Sequence, residues 1–296
     1  MNAARLGKKR GEQLSQVLMG LILILFAFCC LFPMYLVLIN SFATEASILK
    51  NGYQLIPEQF SLEAYKSIFY AGSPTLKSYG ITILITVVGT AIAVVITYMC
   101  GFSLANENLK YRNGFSLFFI ITTVFNSGLV PWYLICRVLH LYNNIWALII
   151  PSLIFTPFNM FLTRNFIKGV PSSLMDSARI DGAGELTIAF RIYFPICSPV
   201  IATITLFYAL GYWNNWFNAI MLLDSSELYP LQMILFKIQS DLSMLKDLTN
   251  VGLSNTVPTE SFKMASAIVT IGPIVLLYPF LQRYFTEGLI IGAVKG

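Results

Sequence analysis

Long apolar runs without interior charge constrain this chain more than any other feature of its sequence. Six runs contain no Asp, Glu, Lys or Arg, and each is close to the ~20 residues that a helix needs to cross a bilayer. Because the runs are apolar on all sides rather than alternating, a transmembrane β-barrel is disfavoured. The sequence predicts an all-α membrane protein with a single transmembrane domain over residues 1–296. Its six predicted spans lie near 17–41, 78–105, 114–136, 145–163, 195–222 and 264–282.

The basic residues predict that both termini are cytoplasmic. Arg5, Lys8, Lys9 and Arg10 precede the first run as in a signal peptide, but the run is too long and lacks a small-residue cleavage site, so we interpret it as an uncleaved span. A cytoplasmic start places most of the Lys and Arg on the inside, as the positive-inside rule requires. The inside set is Arg5, Lys8, Lys9, Arg10, Lys110, Arg112, Arg164, Lys168, Arg179, Arg191, Arg283 and Lys295. The net charge of +5 therefore reflects topology, and no nucleic-acid partner is expected.

Two predicted outer loops contain amphipathic patterns. In 42–77, Leu62, Tyr65, Ile68 and Phe69 recur at helical spacing after Ser61, a candidate cap. In 223–261, an apolar stripe predicts a helix outside the membrane. The stripe consists of Leu231, Ile234, Leu235, Ile238, Leu242 and Leu245. This second helix either rests on the bilayer or caps the bundle, or it docks an external partner.

Several missing features exclude function classes. The sequence contains no GxxxxGK[ST] motif, so the chain has no P-loop for ATP. No ionisable side chain lies at mid-span, which disfavours proton-driven carriers and charge-ring channels. The sole histidine, His140, falls in a short outer loop and is interpreted as a surface residue. Five cysteines lie in or beside apolar runs without CxxC spacing, so no metal site is expected.

The spans instead contain neutral polar and aromatic side chains. Each Asn has a structural interpretation as an interhelical hydrogen-bonding group, and each aromatic residue as part of an interfacial belt. As a group they suit a neutral polyhydroxylated ligand, because aromatic faces pack on sugar rings while amides both donate to and accept from hydroxyls. The predicted substrate-pathway residues are Asn126, Trp132, Tyr133, Asn159, Trp213, Asn214, Asn215, Trp216 and Asn218.

A polar insert separates the fourth and fifth runs, within the predicted coupling loop 164–194. Its charged residues include Asp176, Arg179, Asp181, Glu185 and Arg191, which would together cost on the order of 12 kcal/mol in the bilayer core, so the insert must be cytoplasmic. Pro171 and Ser173 are expected to open a helix, with Asp176 completing a capping box. Gly182 is expected to end it in the left-handed conformation. A second helix is expected to end before Pro195, so that the two short helices form a projecting knob.

This insert resembles the EAA loop of bacterial ABC-importer permeases. Asp176-Ser177-Ala178, then Gly182, then Ile192 with Phe194-Pro195, match the spacing EAA, three residues, G, nine residues, I-x-L-P. Asp176, Ser177 and Phe194 depart from the usual Glu, Ala and Leu. The Asp181-Gly182-Ala183 triplet, the fifth span and the ending GAVKG are similar to carbohydrate permeases of the maltose and oligosaccharide type, near the polysaccharide- and lipopolysaccharide-uptake group. The resemblance covers essentially the whole chain.

The resemblance implies a permease subunit that imports oligosaccharides or neutral glycan fragments across the bacterial cytoplasmic membrane. It implies a second related permease, an external solute-binding protein facing 223–261, and two ATPase subunits that bind ATP and Mg²⁺. This chain itself would bind no cofactor and catalyse no reaction. The implied ATPase-coupling residues are Asp176, Ser177, Ala178, Asp181, Gly182, Ala183 and Pro195. An ion-coupled secondary transporter of a neutral solute, with sodium on backbone carbonyls, and a membrane scaffold remain the alternatives.

Overall fold

The computed structural model describes residues 2–70, 73–125, 127–249 and 260–275, with the side chains of 2–15 and 241–249 left aside. In these ranges the regular structure is helical, apart from an isolated antiparallel bridge between Ala43 and Phe60. The all-α prediction is therefore confirmed for the described residues. The helices are α1 (Asn2–Asn40), α2 (Glu45–Asn51), α3 (Glu63–Ile68), α4 (Pro74–Ala105), α5 (Arg112–Val124), α6 (Leu129–Val138), α7 (Trp146–Ile149), α8 (Pro157–Lys168), α9 (Ser173–Ile180), α10 (Glu185–Thr187), α11 (Phe194–Ile196), α12 (Ser198–Trp213), α13 (Phe217–Leu222), α14 (Leu231–Thr249) and a further helix over 260–275.

Two of the described helices are long and apolar enough to cross a membrane alone, namely the 16–40 part of α1 and the whole of α4. Two bent pairs raise this number to as many as four. One pair is α5 with α6, at 116°, and the other is the 185–196 helix with α12, at 85°. The predicted run 264–282 is helical up to residue 275 and then leaves the described residues. The count of six spans remains a prediction.

The third and fourth predicted spans are not single straight helices. The third divides into α5 and α6 around Gly128, whose φ of +83° does not continue a helix. The fourth divides into α7 and α8, with non-helical backbone from 151 to 156. Pro151 and Pro157 account for this second break, because proline removes a helical hydrogen bond and restricts the residue before it.

The chain forms two compact units, of which the first comprises residues 1–70 and 241–269. Within it, Asn40 donates from Nδ2 to the carbonyls of Leu36 and Gln54, and its Oδ1 accepts from the Gln54 amide. Glu45 accepts from the amides of Glu260 and Ser261, and this carboxylate therefore caps the 260–275 helix. The sequence reading did not anticipate this cap.

The predicted amphipathic helix of the 42–77 loop is confirmed as α3. Ser61 Oγ accepts from the Glu63 amide at 3.1 Å, but Ser61 precedes the N-cap residue, Leu62, which makes no side-chain cap. Ile68 is buried, while Leu62 and Phe69 of the predicted stripe are largely exposed.

The second unit, 71–240 and 270–296, contains the main core around α4. Helix α4 packs along α12 and α8, and small residues allow the close approach that membrane helices favour. A Cβ at Gly89 would lie 2.5 to 2.8 Å from ring carbons of Tyr212, and one at Gly101 would lie 3.0 Å from Thr163 Cγ2. Helix α4 matters for function because the polar insert bonds to it, and because α12, which packs along it, bonds to the break between α7 and α8.

Candidate functional site

The polar insert forms two short helices joined by a tight turn, as predicted. Helix α9 ends in a Schellman arrangement, in which the Ala183 amide donates to the Ala178 carbonyl and the Gly182 amide to the Arg179 carbonyl. Gly182 has a φ of +79°, which confirms the left-handed prediction. Arg179 also donates from Nε and Nη2 to Glu185 Oε1 at 3.0 and 2.8 Å. The salt bridge connects the helices on either side of the turn.

Two details of the predicted insert are wrong. Ser173 is the first residue of α9 rather than its cap, and the residue at the cap, Ser172, makes no side-chain hydrogen bond to the helix. The predicted capping box with Asp176 is therefore absent. The second helix does not end before Pro195 but continues to Ile196, with Pro195 in the short α-helical segment α11 that follows a π-helical turn. The chain bends by 85° after Ile196 instead.

The second helix of the insert is anchored to α4 through aromatic side chains. Tyr98 donates from its hydroxyl to the Ala189 carbonyl at 2.6 Å, within a π-helical turn over Ile188–Tyr193. Its ring meets Phe194 edge to face at 5.1 Å, and Phe102 meets Tyr193 in the same way at 5.5 Å. Burial raises the pKa of Tyr193. The insert is therefore bonded and packed directly against α4.

The face of the insert away from α4 is exposed. Asp176, Ser177, Asp181 and Gly182 are all exposed, while Ala178 is buried inside the turn. A Cβ on Gly182 would meet open space. We call residues 171–194 the knob. One face of the knob packs against α4, and its free face is exposed.

Two grooves flank the knob. The larger, of about 670 Å³, has Asn106, Glu107, Lys168, Asp176 and Arg179 in its wall. The smaller, of about 410 Å³, lies between the end of α4 and the second helix of the knob, with Leu186 and Phe190 in its wall. Leu186 and the neighbouring Ile180 are strongly exposed apolar side chains. Exposed apolar groups beside concave polar surfaces are typical of a protein-docking site.

Two of the predicted substrate-pathway residues, Asn215 and Asn218, stabilise the break between α7 and α8. Asn215 donates from Nδ2 to the Leu148 carbonyl at 3.0 Å, and Asn218 donates from Nδ2 to the Pro151 carbonyl at 2.9 Å. Tyr212 donates to the Ile149 carbonyl. These three bonds satisfy carbonyls that the broken helix leaves without helical partners. Sequence reasoning did not identify Tyr212, because its acceptor, the Ile149 carbonyl, lies 63 residues away in the chain.

Two further predicted residues are buried. The Trp213 indole donates from Nε1 to the Thr270 carbonyl at 3.0 Å, and Asn159 lies on α8 with its carbonyl accepting from Thr163 Oγ1. Tyr133 lies apart from both, with the Arg137 guanidinium 6.0 Å from its ring centroid. Asn126 falls outside the described residues.

Trp132 and Trp216 belong to a row of aromatic rings, in which Trp216, Phe217 and Phe236 are exposed and Trp132 is partly buried. Trp216 stacks on Phe236 at 5.1 Å with 15° between the rings, meets Phe217 edge to face at 6.0 Å, and Phe217 lies 5.8 Å from Trp132. We call Trp132, Trp216, Phe217 and Phe236 the aromatic row. Sequence reasoning missed Phe217 and Phe236; Phe236 was detectable, because it is a large aromatic residue off the apolar stripe of α14.

Amide groups lie beside the aromatic row. Asn214 is exposed, accepts at Oδ1 from Gln232 Nε2 at 2.9 Å and donates from Nδ2 to the Leu210 carbonyl. Helix α14 confirms the predicted amphipathic helix, since Leu231 is buried and Lys237 is exposed. Its stripe residues Leu242 and Leu245 lie among the residues whose side chains are not described.

Apolar helices broken at prolines, together with a projecting polar knob, define a multi-pass helical membrane transport component. The chain matches over residues 3–290 the family described as the inner membrane component of binding-protein-dependent transport systems, and it belongs to that family. It is the permease subunit of an ABC importer in the cell membrane, a transport component and not an enzyme.

Relatives and a solved structure agree with this assignment. The chain is 40% identical to the protein LplC of Bacillus subtilis, with 89% of each chain covered. It is 37% identical to the polygalacturonan/rhamnogalacturonan transport system permease protein YtcP of the same organism, with 93% and 96% covered. A crystal structure of a bacterial ABC transporter involved in the import of the acidic polysaccharide alginate superposes with a TM-score of 0.84 at 29% identity, covering 93% of this chain and 98% of the other.

Proposed function

We propose that this permease imports oligosaccharides and that its knob receives the force of partner ATPases. The observation that carries the proposal is the geometry of the knob, whose free face is polar and exposed while its other face is bonded to α4 through Tyr98 and Ala189. The spacing of its residues matches the EAA loop. The proposed ATPase-coupling residues are Asp176, Ser177, Ala178, Asp181, Gly182, Ala183 and Pro195, of which Ala178 is buried and acts by shaping the turn.

A force on the knob has two routes into the membrane. One is the aromatic anchor on α4, and the other is the 85° bend that joins the 185–196 helix to α12. Because α4 and α12 pack against each other, we propose that they move together as a near-rigid body between inward- and outward-facing states. ATP and Mg²⁺ are bound by two partner ATPase chains, and a related permease and an external binding protein complete the importer.

The aromatic row with the amides of Asn214 and Gln232 supports a saccharide substrate. Flat rings pack on the apolar faces of sugars, and amides bond with hydroxyls in both directions. The relatives named for polygalacturonan, rhamnogalacturonan and alginate transport support a glycan. We retain a neutral oligosaccharide as the proposed substrate, since no charged side chain belongs to the row.

Uptake in proteoliposomes tests the coupling. The chain is reconstituted with its partner permease, ATPases and binding protein, and labelled oligosaccharide uptake is followed with ion gradients collapsed. We expect uptake that requires ATP and is inhibited by vanadate. Uptake that follows an imposed sodium gradient without ATP would instead support a secondary carrier, and no flux under either condition would support a scaffold.

The secondary-carrier alternative gains no support at the break between α7 and α8. The carbonyls of Leu148, Ile149 and Pro151, which would be the natural sodium ligands there, accept hydrogen bonds from Asn215, Tyr212 and Asn218.

Replacing Trp216 tests the substrate assignment. Trp216→Ala removes the central ring of the row, so we expect the KM for oligosaccharide uptake to rise about tenfold, the equivalent of about 1.4 kcal/mol. The matched control is Trp146→Ala, since Trp146 is similarly exposed but lies outside the row. An acidic glycan taken up better than its neutral counterpart would reject the neutral assignment, and an unchanged KM in Trp216→Ala would reject the row as the substrate path.

A further inference from the structure

Three cations gather where α5 begins and α8 ends, outside the aromatic row. Arg112 is the first residue of α5, while Arg164 and Lys168 lie in the last two turns of α8. Arg164 donates from Nη1 to Ser116 Oγ of α5 at 3.2 Å, which connects the two helix ends. We call Arg112, Arg164 and Lys168 the basic cluster.

The positive charge of the basic cluster exceeds the negative charge that acts on it. Burial lowers the pKa of Arg164, and Arg112 lowers it further. Burial also lowers the pKa of Lys168, with added contributions from Arg164 and Arg112, while Glu107 acts in the opposite direction. Glu107 Oε1 lies 3.8 Å from Arg112 Nη1, beyond hydrogen-bond distance. In the described part of the chain, these three cations therefore face one carboxylate, that of Glu107, which forms a long ion pair with Arg112.

The guanidinium groups also contain buried donors without acceptors. Among the described residues, five buried side-chain N or O atoms have no hydrogen-bond partner, and two of them are Arg112 Nη1 and Arg164 Nε. Buried donors in folded proteins normally have an acceptor. These two donors on neighbouring cations are open to an acceptor from outside the described residues.

An apolar surface adjoins the basic cluster. Phe115, Leu117 and Phe118 follow Arg112 on α5 and are each more than half exposed. The predicted spans 114–136 and 145–163 begin and end within two residues of Arg112 and Arg164, so the cluster lies where apolar helices meet water. An anion bound at the basic cluster would have the apolar surface of α5 on one side and water on the other.

We propose that the basic cluster binds the phosphate of an anionic membrane lipid, whose acyl chains lie along the exposed face of α5. A phosphate offers several strong acceptor oxygens for guanidinium groups, and basic sites between helices at the cytoplasmic face are suited to lipid headgroups. The choice of leaflet rests on the proposed topology. The basic cluster is separate from the aromatic row proposed for the substrate, and the lipid-binding experiment does not depend on transport.

Lipid retention by the purified full-length chain tests this inference. The chain is extracted from nanodiscs of phosphatidylglycerol mixed with phosphatidylcholine, and retained lipid is measured by native mass spectrometry. We expect selective retention of phosphatidylglycerol. In Arg112→Gln with Arg164→Gln we expect about thirtyfold weaker retention, the equivalent of about 2 kcal/mol at about 1 kcal/mol for each cation. Lys110→Gln is the matched control, because Lys110 is an exposed cation of the same loop.

A second measurement separates a lipid from free phosphate and from a protein partner. The thermal unfolding temperature of the wild type should rise with phosphatidylglycerol and remain unchanged with inorganic phosphate. Equal stabilisation by inorganic phosphate would overturn the lipid assignment. Equal phosphatidylglycerol retention by the wild type and the double variant would overturn the site. If the double variant also no longer assembled with the ATPases, the cluster would be a contact for a protein partner instead. A circular dichroism spectrum of the double variant matching that of the wild type shows that it has folded.

Discussion

Gly182 combines a conformational requirement with an exposed position. Its left-handed φ costs a residue with a Cβ roughly 1–2 kcal/mol, and Asn tolerates it better than other residues. No atom of the described residues lies within 4 Å of where its Cβ would be. A substitution at this position therefore separates the conformation of the turn from its contact with a partner.

We expect Gly182→Arg to insert in the membrane and to lose substrate-stimulated ATPase activity in the assembled importer. The reason is that a long side chain would project from the free face of the knob into the proposed ATPase contact. ATP hydrolysis by the purified importer, with and without substrate, is the measurement. Gly182→Asn is the control and should retain most coupling, since it preserves the turn without the bulk. Normal stimulation in Gly182→Arg would reject the knob as the coupling element.

Asn218 illustrates a polar residue whose role is structural. Its side chain is buried and donates to the Pro151 carbonyl at the break between α7 and α8. Asn214, four residues earlier, is exposed and bonds to its own helix and to Gln232. Similar amides thus serve different purposes depending on burial.

We expect Asn218→Leu to destabilise the protein by about 1–3 kcal/mol, because the buried carbonyl of Pro151 loses its donor. The thermal unfolding temperature in detergent measures the effect. Asn214→Ala, which removes an amide at an exposed position, should lower that temperature much less. Equal unfolding temperatures for Asn218→Leu and the wild type would show that the break does not depend on this bond.

At the scale of elements, α4 is the central helix of its unit. It packs along α12 through Gly89 and along α8 through Gly101, and it holds the knob through Tyr98. Buried hydroxyls reinforce this packing, since Thr97 and Tyr208 bond across α4 and α12 at 2.6 Å. The alignment of α4 with α12 is therefore set by small residues and by a few hydrogen bonds.

We expect Gly89→Ala to cost about 1–3 kcal/mol through overpacking. The added Cβ would displace the Tyr212 ring, whose hydroxyl bonds to the Ile149 carbonyl. Thermal unfolding in detergent is the measurement. Gly80→Ala on the same helix is the control, because a Cβ there meets open space and alanine favours helix. A Gly89→Ala variant as stable as Gly80→Ala would contradict close α4 to α12 packing.

At the scale of the whole molecule, the proposed function depends on which elements lie on which side of the membrane. The knob must be cytoplasmic to meet an ATPase, while the 223–261 loop must be external to meet a binding protein. Exposed serines occur in both regions, Ser177 on the knob and Ser226 in the loop. Replacing each serine by cysteine therefore gives two comparable sites for labelling from one side of the membrane.

We expect a membrane-impermeant maleimide to label Ser226→Cys in intact cells and to label Ser177→Cys only after permeabilisation. Both substitutions are made in a chain whose five cysteines are replaced by serine or alanine. The unsubstituted cysteine-free chain is the control. The reverse labelling pattern would overturn the proposed topology and with it the role of the knob.

The sequence alone was sufficient for the class of fold and for the knob. Long uncharged runs predict membrane helices because burying charge in lipid is costly, and this signal is independent of tertiary contacts. The left-handed conformation of Gly182 was also predictable, because local backbone preference decides where a helix ends. The amphipathic part of α14 was also apparent from its period.

Only the tertiary structure decided which polar residues are structural and which are exposed. Asn214, Asn215, Trp216 and Asn218 are near neighbours in the sequence, yet two amides bond inside the fold while an amide and a ring remain exposed. The two buried amides bond to carbonyls more than sixty residues earlier in the chain, which the break between α7 and α8 leaves without helical partners. Periodicity and composition carry no information about such distant partners, because a hydrogen bond forms only where the completed fold brings donor and acceptor together.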